Sequence, residues 1–488
     1  MENFDRRMLL AGLGLVGAAA AASAGAGTLN PPPGPVAPTG KTTDEIEPRV
    51  AVQSLAGDVF SVHLITQPGS YYLLGNINGR PGRAAVAIAA GNVTLDLCGF
   101  ALIGVAGSFA GIELRDSTQI VVRNGSIRTF DQSGISTFGT LTRHVRIEGI
   151  GISNIVSGAG ISVDGSHVRD CELTSIGGPG IFVSTTSGLV ERCVVSGCSS
   201  SGIVAKTVTS CTVFNVVSTA GSAAGILASI VSDCSVDTVS GSTSSTGISQ
   251  AQAATGCTIR NVGLTTSTAS TIGAHANSAF GLDVRDIRGA GPVAGILGNT
   301  VSNCNVVNLV QGASTATMTG IVADVITACR VDTITGLSTT PTSGILDARV
   351  VRDCAVSSIS NTGPGFAFGL NKTNNNAGSI ENCVFQSCGD VAVSVGARQR
   401  IVGCTIEIAI TGILANNVRN VIDGNTIDSC TTGISVTSGT NTANALVVRN
   451  QVRNCTNNFV LDTPCQFGPT VSATGQIAST NPWANFTD

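Results

Sequence analysis

Short blocks of alternating apolar and polar residues recur along most of this chain. The stretch VRDCELTSI at 168–176 shows the pattern, with apolar Val168, Leu173 and Ile176 placed around Cys171. The blocks return every 18 to 29 residues without helical spacing, which is typical of a β-solenoid. Related stretches begin at Val208, Val231, Val301, Ile326 and Val351. Gly-Ile pairs follow the same period at 160–161, 180–181, 202–203, 225–226, 247–248, 295–296, 320–321, 344–345, 412–413 and 433–434.

The composition supports an all-β protein with one continuous core. Hydrophobic residues make up 42% of the 488 residues and charged residues only 11%, so there is little material for long amphipathic helices. The formal net charge is −4 and the chain has 60 glycines. This balance lacks the basic surface that a nucleic-acid partner requires, and none is predicted.

The first residues resemble an export signal. Arg6 and Arg7 precede a mildly apolar, Ala- and Gly-rich run, and the paired arginines resemble a twin-arginine signal. We therefore predict an export signal at 1–26, with the protein periplasmic, at the cell surface or extracellular. A membrane anchor is the alternative, although the run is weakly hydrophobic for a spanning helix. Residues 27–43 are predicted to form a proline-rich linker.

The repeat is flanked by segments that do not share its period. We predict an N-terminal cap at 44–90, the solenoid at 91–462, and a C-terminal cap at 463–488, because open sheet ends need cover. The C-terminal segment contains Trp483, the only tryptophan. Stacking of Trp483 on a carbohydrate is an alternative to a capping role.

The first repeat carries a family resemblance. VTLDLCGF at 93–100 resembles the opening strand of right-handed parallel β-helix proteins of the pectin-lyase-like superfamily. Asn425 and Asn450 occupy the position where that superfamily often has asparagine, and cysteine takes it in most other repeats. The resemblance implies a right-handed, single-stranded parallel β-helix. It leaves the function open, because the superfamily includes lyases, hydrolases, epimerases, adhesins and proteins without known activity.

The cysteines align into one inward-facing column. Leu282 replaces cysteine in one repeat, which indicates an apolar core position. We predict buried, reduced thiols, because neighbouring turns are about 4.8 Å apart and disulfides prefer Cβ separations of about 3.5–4.5 Å. Disulfides or a bound soft metal are the alternatives, but the spacings match no zinc site and no metal is predicted. The column comprises Cys171, Cys193, Cys211, Cys234, Cys257, Cys304, Cys329, Cys354, Cys383 and Cys404.

Opposite charges alternate two residues before the cysteine position. Arg123, Glu148, Arg169 and Glu191 occupy successive repeats, and Arg352 with Glu381 repeats the arrangement. Such a column would favour correct strand register. An arginine patch for acidic polysaccharide is the alternative.

The strand that carries the Gly-Ile pair is predicted to have an apolar outer stripe. With isoleucine inward, the residue two positions after glycine faces outward. A covering loop, a partner or a second copy of the protein would then bury the stripe. A register error of one residue would instead make these side chains core. The outward set is Phe182, Val204, Leu227, Leu297, Val322, Leu346 and Leu414, interrupted by Ser249, His275 and Asn371.

Polar residues beside this stripe are the candidate site. Asp324 and Asp347 are candidate catalytic carboxylates, since two carboxylates on adjacent turns can serve as general acid and base. His275, Asn277, Asn299 and Lys372 are candidate ligand-binding residues. Solvated turn residues are the alternative interpretation of the two aspartates, His275 and the two asparagines. Lys372 lies in the longest spacing of the repeat, from Cys354 to Cys383, which is predicted to form a loop that carries specificity.

The sequence lacks the motif set of polygalacturonases and is poor in aromatic residues, at 4%. We therefore predict a non-catalytic surface, matrix or glycan-binding protein that uses no cofactor. The alternative is a lyase or hydrolase acting on an acidic polysaccharide, and a lyase of this kind could use calcium.

Overall fold

The computed structural model describes residues 49–139, 142–263, 270–312, 315–416, 418–437, 444–472 and 479–488. The predicted export signal, Arg6, Arg7 and the proline-rich linker lie outside these residues. The described residues belong to one compact unit, Arg49–Asp488. Within it the chain winds as a right-handed parallel β-helix of about 17 turns, which confirms the predicted fold.

Each turn contributes strands to three parallel sheets, here called A, B and C. Some strands bend from one sheet into the next, and these are assigned to both. Sheet A contains Ser61–Ile65, Ala84–Ile88, Ala110–Arg115, Ser133–Phe138, Ile161–Val163, Ile181–Val183, Ser201–Thr209, Ser222–Ser232, Ser244–Thr255, Thr271–Phe280, Val293–Leu297, Met318–Val322, Thr342–Leu346, Ala367–Lys372, Val391–Val395, Thr411–Asn416, Thr432–Thr437 and Asn457–Leu461.

Sheet B follows sheet A along the chain. It contains Val50–Ala51, Gly69–Tyr72, Val93–Asp96, Thr118–Arg128, Arg143–Ile155, His167–Arg169, Leu189–Glu191, Thr300–Ser302, Val325–Thr327, Val350–Arg352, Gly378–Glu381, Gln399–Val402, Val421–Asp423, Leu446–Val448 and Gln466–Phe467. Four strands of sheet A, namely Ser201–Thr209, Ser222–Ser232, Ser244–Thr255 and Thr271–Phe280, continue into it.

Sheet C completes each turn. It contains Ile77–Asn78, Ala101–Ile103, the ends of Thr118–Arg128 and Arg143–Ile155, Glu172–Ile176, Val194–Cys198, Thr212–Ser218, Ser235–Gly241, Thr258–Val262, Asp283–Gly289, Asn305–Gln311, Arg330–Gly336, Ala355–Asn361, Val384–Cys388, Thr405–Glu407, Thr426–Asp428, Gln451–Arg453 and Asn485–Thr487. The short strand Thr470–Ser472 pairs with Asn485–Thr487.

The Gly-Ile pair packs sheet A against sheet C. The isoleucines are buried, as Ile226 and Ile248 illustrate. The glycine has no room for a side chain, because a Cβ on Gly225 would lie 2.3 Å from Cγ1 of Val236. The recurrence of glycine therefore reflects close contact between two sheets across a narrow core.

A left-handed residue separates sheet B from sheet C in most turns. Asp170, Asp233 and Asn303 have φ values of 54°, 53° and 52°, and each directly precedes the cysteine position. Aspartate, asparagine and glycine tolerate this conformation better than other residues do. The polar residue before each cysteine thus marks a single-residue corner.

The cysteine column is buried as predicted, and it also carries hydrogen bonds. The N–H of Cys193 donates to Sγ of Cys211 at 3.4 Å, and the Cys211 thiol donates to the carbonyl of Thr209 at 3.2 Å. Leu282 fills one position of the column and is 1% exposed. No disulfide joins any of the sixteen cysteines, all of which lie in the described residues.

The ends of the β-helix are closed by short segments. The 3-10 helix Val52–Ser54 buries Val52 at the N-terminal end. Parallel pairing already begins at Val50, so the described part of the predicted cap also forms the first strands. At the other end, Asn485–Thr487 pairs with Gln451–Arg453 and covers the last turn. Among the described residues no helix is long and apolar enough to cross a membrane.

Candidate functional site

The outer face of sheet A has the predicted register. Phe182 pairs with Val204, and Val204 pairs with Leu227 on the following turn. Leu297, Val322 and Leu346 form a second run on successive turns. Because the isoleucine before each of these residues is buried, the alternative of a one-residue register error is wrong.

The apolar stripe is less uniformly exposed than predicted. Phe182 is 41% exposed, whereas Val204 is 7% and Asn371 is 8% exposed. Leu227, Leu297 and most other members are half-buried. The apolar stripe is therefore only partly exposed, and it is interrupted along its length.

A row of polar residues runs beside the stripe where sheet A ends. The N–H of Asn299 donates to the carbonyl of Asn277, and the N–H of Asp324 donates to that of Asn299. The N–H of Arg349 in turn donates to the carbonyl of Asp324. Asn277, Asn299, Asp324 and Arg349 therefore occupy one position on four successive turns, and all four are exposed.

Arg349 forms an ion pair with Asp324, which lies on the preceding turn. Its Nε lies 3.2 and 3.1 Å from the two carboxylate oxygens, and its Nη2 lies 3.0 Å from Oδ2. Both side chains are about half exposed, so solvent screens the pair and it adds little to the stability of the fold. Its effect is to fix the direction of the Asp324 carboxylate.

Asp347 does not continue this row. It lies two residues before Arg349 with a left-handed φ of 54°. Its Oδ1 accepts hydrogen bonds from the N–H of Thr373 at 2.7 Å and from the Thr373 hydroxyl at 2.9 Å. The Asp347 carboxylate therefore stabilises the backbone at Thr373, on the next turn of the β-helix. The two predicted carboxylates are neighbours, but each is bound to a different partner.

Lys372 is the largest departure from the predicted site. A ligand-binding side chain should be accessible to solvent, but Lys372 is only 2% exposed. Its Nζ donates to the carbonyl of Ala348 at 3.1 Å and to Oδ1 of Asn374 at 2.9 Å. Burial lowers the pKa of Lys372 from its usual 10.5, against an opposing effect of Asp347 and Asp324. The structure thus brings Lys372 to both carboxylates, beneath the surface rather than on it.

His275 lies farther along the same face. It is exposed and pairs with Leu297 on the next turn. It shares its strand with Asn277, the first residue of the polar row. The structure therefore groups His275, Asn277 and Asn299 at one end, and Asp324, Asp347 and Lys372 at the other.

Arg349 is the site residue that sequence reasoning missed. The signal was available, because Arg349 follows Asp324 by 25 residues, which is one turn of this repeat. Among the described residues, no group of three or more His, Cys, Asp or Glu side chains is arranged to hold a metal.

The charge column on sheet B has the predicted order. Glu148 pairs in register with both Arg123 and Arg169, and Arg169 pairs with Glu191. Ion pairs join Arg169 to Glu148 at 3.0 Å and Arg352 to Glu381 at 3.0 Å. The arginines are therefore largely neutralised by neighbouring turns.

Solved structures with a similar backbone winding are distant. The A-module of mannuronan C-5 epimerase AlgE4 from Azotobacter vinelandii is 12% identical, with 86% of this chain and 99% of that chain covered and a TM-score of 0.31. A tailspike mutant of E. coli bacteriophage HK620, in complex with a pentasaccharide, is 11% identical over 91% and 79% of the two chains, with a TM-score of 0.23. Similarity at this level carries no information on activity or ligand.

Sequence comparison gives a result for part of the chain. No curated protein sequence matches it significantly. Residues 76–213 match the family model described as right handed beta helix region, in agreement with the observed fold.

Proposed function

We propose that this protein is an exported, non-catalytic β-helix that binds a glycan along the outer face of sheet A. The observation that supports this most directly is the row of Asn277, Asn299 and Asp324 beside the apolar stripe. Amide and carboxylate groups hydrogen-bond hydroxyls, and apolar side chains pack against the C–H faces of sugar rings. Because the row repeats at about 4.8 Å per turn, it suits an extended polymer.

The geometry of the carboxylates favours binding over catalysis. Asp324 is bound by the guanidinium of Arg349, and Asp347 is bound by the backbone and hydroxyl of Thr373. A general acid or base must reach the proton that it transfers. The two carboxylates are instead oriented by different partners rather than by each other or by a shared group.

The proposed route out of the cytoplasm rests on the paired arginines of the first segment. Replacing Arg6 and Arg7 by lysine should retain the full-length protein in the cytoplasm. Cell fractionation measures this directly, and unchanged export of the double variant would contradict a twin-arginine route.

A second copy of this chain is the proposed partner for the exposed part of the apolar stripe. Phe182 is its most exposed member, at 41%. Sedimentation of the wild-type protein and of Phe182→Ser over a range of concentrations tests the idea. A wild-type protein that stays monomeric throughout would exclude it.

The main experiment is a combined binding and turnover screen of the chain from about Thr28 onward. The panel comprises neutral and acidic polysaccharides, each with and without calcium. Binding is measured by affinity electrophoresis, and turnover by unsaturated uronate and new reducing ends. The double variant Asn277→Ala/Asn299→Ala should weaken binding by about tenfold to a hundredfold, the size of one to two lost hydrogen bonds. Asn78→Ala, an exposed asparagine on sheet C, is the matched control.

The screen separates the proposed function from its alternative. Binding without turnover, weakened only in the double variant, supports a glycan-binding protein. Turnover that disappears in Asp324→Ala/Asp347→Ala would establish a lyase or hydrolase with its site at these carboxylates. Failure to bind any member of a broad panel would contradict the proposal.

A further inference from the structure

A separate pocket of about 340 Å³ opens on the outer face of sheet A in the first turns. This volume falls within the range of small-molecule sites, about 300–1,000 Å³. The pocket combines three aromatic rings with charged and amide groups. Its lining residues are Phe60, Phe109, Phe138, Glu113, Arg115 and Gln132.

The register of the first turns brings these residues together. Phe138 pairs with Arg115, and Ser136 pairs with Glu113, so three of the six lining side chains project from neighbouring positions of two strands. Gln132 is tied to Phe109 through a backbone hydrogen bond of 3.1 Å. The pocket is therefore built on paired strands and on the loops that lead into them.

Arg115 organises the polar side of the pocket. Its Nη1 donates to Oδ2 of Asp58 at 2.6 Å, and its Nε donates to Oε1 of Glu113 at 2.6 Å. Burial opposes ionisation of Asp58, but hydrogen bonds from Ser61 and Arg115 outweigh it and hold its pKa at about 2. One guanidinium thus faces two carboxylates, and the group carries a net charge of −1 at neutral pH.

Several polar groups of this pocket lack a partner. Nη2 of Arg115 is buried without an acceptor in the described part of the chain. In the same part of the chain, neither the side-chain amide of Gln132 nor Oε2 of Glu113 takes part in a hydrogen bond. A buried donor without a partner costs about 1–3 kcal/mol. The pocket therefore offers both donors and acceptors to a ligand.

The aromatic rings are unusually exposed for this chain. Phe138 is 68% exposed and Phe60 is 58% exposed. Five of the fifteen phenylalanines lie between residues 60 and 138, although this segment is only about a sixth of the chain. Rings that border a pocket with unpaired polar groups suit a ligand that has both an apolar face and hydroxyls.

We propose that this pocket binds one uncharged sugar ring of a neutral glycan. The C–H face of the ring packs against Phe60 and Phe138, and its hydroxyls bond to Oε2 of Glu113 and to the Gln132 amide. An acidic sugar is disfavoured because the carboxylates outnumber the guanidinium. A quaternary ammonium ion is disfavoured because it has no acceptor for the unpaired donors of Arg115 and Gln132.

This site is distinct from the polar row described above. Asn277, the nearest residue of the row, shares its strand with His275, which lies seven turns from Glu113 in the same outward stack, or about 34 Å at about 4.8 Å per turn. The inference thus goes beyond the proposed function, and either one can fail without the other.

The test is calorimetric titration of the full-length chain with maltotriose, cellotriose, mannotriose, trigalacturonate and choline. At least one neutral trisaccharide should bind, and Phe138→Ala should weaken it by about tenfold or more. Gln132→Ala should weaken it less. Both side chains are exposed, so neither change should prevent folding. Phe214→Ala removes an exposed ring from sheet C and should leave binding unchanged.

Three results would overturn the inference. One is the absence of binding to every neutral trisaccharide. Another is equal affinity in the wild-type protein and Phe138→Ala. The last is binding of trigalacturonate or choline alone. A neutral sugar whose affinity falls in Asn277→Ala/Asn299→Ala but not in Phe138→Ala would reject this site while supporting the proposed function.

Discussion

The backbone N–H of Cys404 donates a hydrogen bond of 2.9 Å to Oδ1 of Asn425 on the next turn. At this contact the buried column changes from thiols to amides without a change of geometry. Asn450 and Asn485 continue the column, as the N–H of Asn425 donates to Oδ1 of Asn450 and the N–H of Asn450 donates to Oδ1 of Asn485. Cysteine and asparagine thus serve the same purpose, which is to accept a hydrogen bond from the backbone N–H at the corner between sheets B and C.

The two side chains should differ in how much they stabilise the β-helix. Asn450 is fully buried, and its amide donates to the carbonyls of Ile422 and Val448 while its Oδ1 accepts from Asn425. Asn450→Ala leaves several buried groups unpaired and should lower the free energy of unfolding by about 3 kcal/mol. Cys211→Ala removes weaker thiol contacts and should cost about 1 kcal/mol.

Urea unfolding followed by circular dichroism measures both values. Cys211→Ser serves as a control, because it keeps a hydrogen-bonding group of similar size. Equal losses for Asn450→Ala and Cys211→Ala would contradict the idea that the amide ladder is the stronger one.

The thiols should be reduced and protected. Thiol titration of protein denatured without reductant should find all sixteen cysteines. In the native protein, exposed Cys98 should react first. Burial raises the pKa of Cys198 and of Cys388 to about 12, so these thiols should react far more slowly. Substantially fewer than sixteen thiols in the denatured sample would show that some cysteines pair.

Much of the β-helix could be predicted because the same side-chain types recur at the same positions of each turn. The buried isoleucine of the Gly-Ile pair and the cysteine position each fix one point of the turn, and two such points define the register. The hydrogen bonds of the thiols could not be predicted in the same way. Leu282 indicated an apolar position, whereas the structure shows that its neighbours in the column also bond the backbone.

The candidate site was harder to predict, because turns do not share the repeat. The position of Asp324 followed from the register of its strand. Asp347 and Lys372 depend on a longer turn, where one residue with positive φ redirects the chain. The pocket at Phe138 is formed by residues from three turns and by loops between them, and no single motif marks it.

Lys372 should make the free energy of unfolding depend on pH in the alkaline range. Burial lowers its pKa in the folded state below 10.5, the value of the unfolded chain, so the unfolded state holds this proton to higher pH. The free energy of unfolding of the wild-type protein, relative to Lys372→Met, should therefore rise as pH increases between the two pKa values. Urea unfolding at about pH 8 and about pH 10 measures the difference.

Lys206→Met is the matched control for that experiment, because it removes the same charge from an exposed position. The free energy of unfolding of Lys372→Met is compared with that of the wild-type protein over this pH range. If the difference stays constant, or if the variant gains stability relative to the wild type as pH rises, a buried ammonium with a lowered pKa is contradicted.

Ile408 occupies a conformation that its side chain disfavours. Its φ is 58°, at a position of sheet C where other turns have residues such as Ser387 and Asn454. A β-branched residue in the left-handed region costs about 1–2 kcal/mol, whereas asparagine tolerates it. Ile408 is also 54% exposed, so its replacement removes little buried apolar area. Ile408→Asn should therefore raise the free energy of unfolding by about 1 kcal/mol.

Ile410 provides the control, since it is 55% exposed and lies two residues away without a positive φ. Ile410→Asn changes the same side chain at a similar exposure and should leave the free energy of unfolding nearly unchanged, because no left-handed conformation is relieved there. Urea unfolding of both variants separates the relief of backbone strain at Ile408 from the effect of removing an exposed apolar side chain. If the two substitutions stabilise the protein equally, the gain comes from removing exposed apolar surface, and the conformation of Ile408 carries no cost.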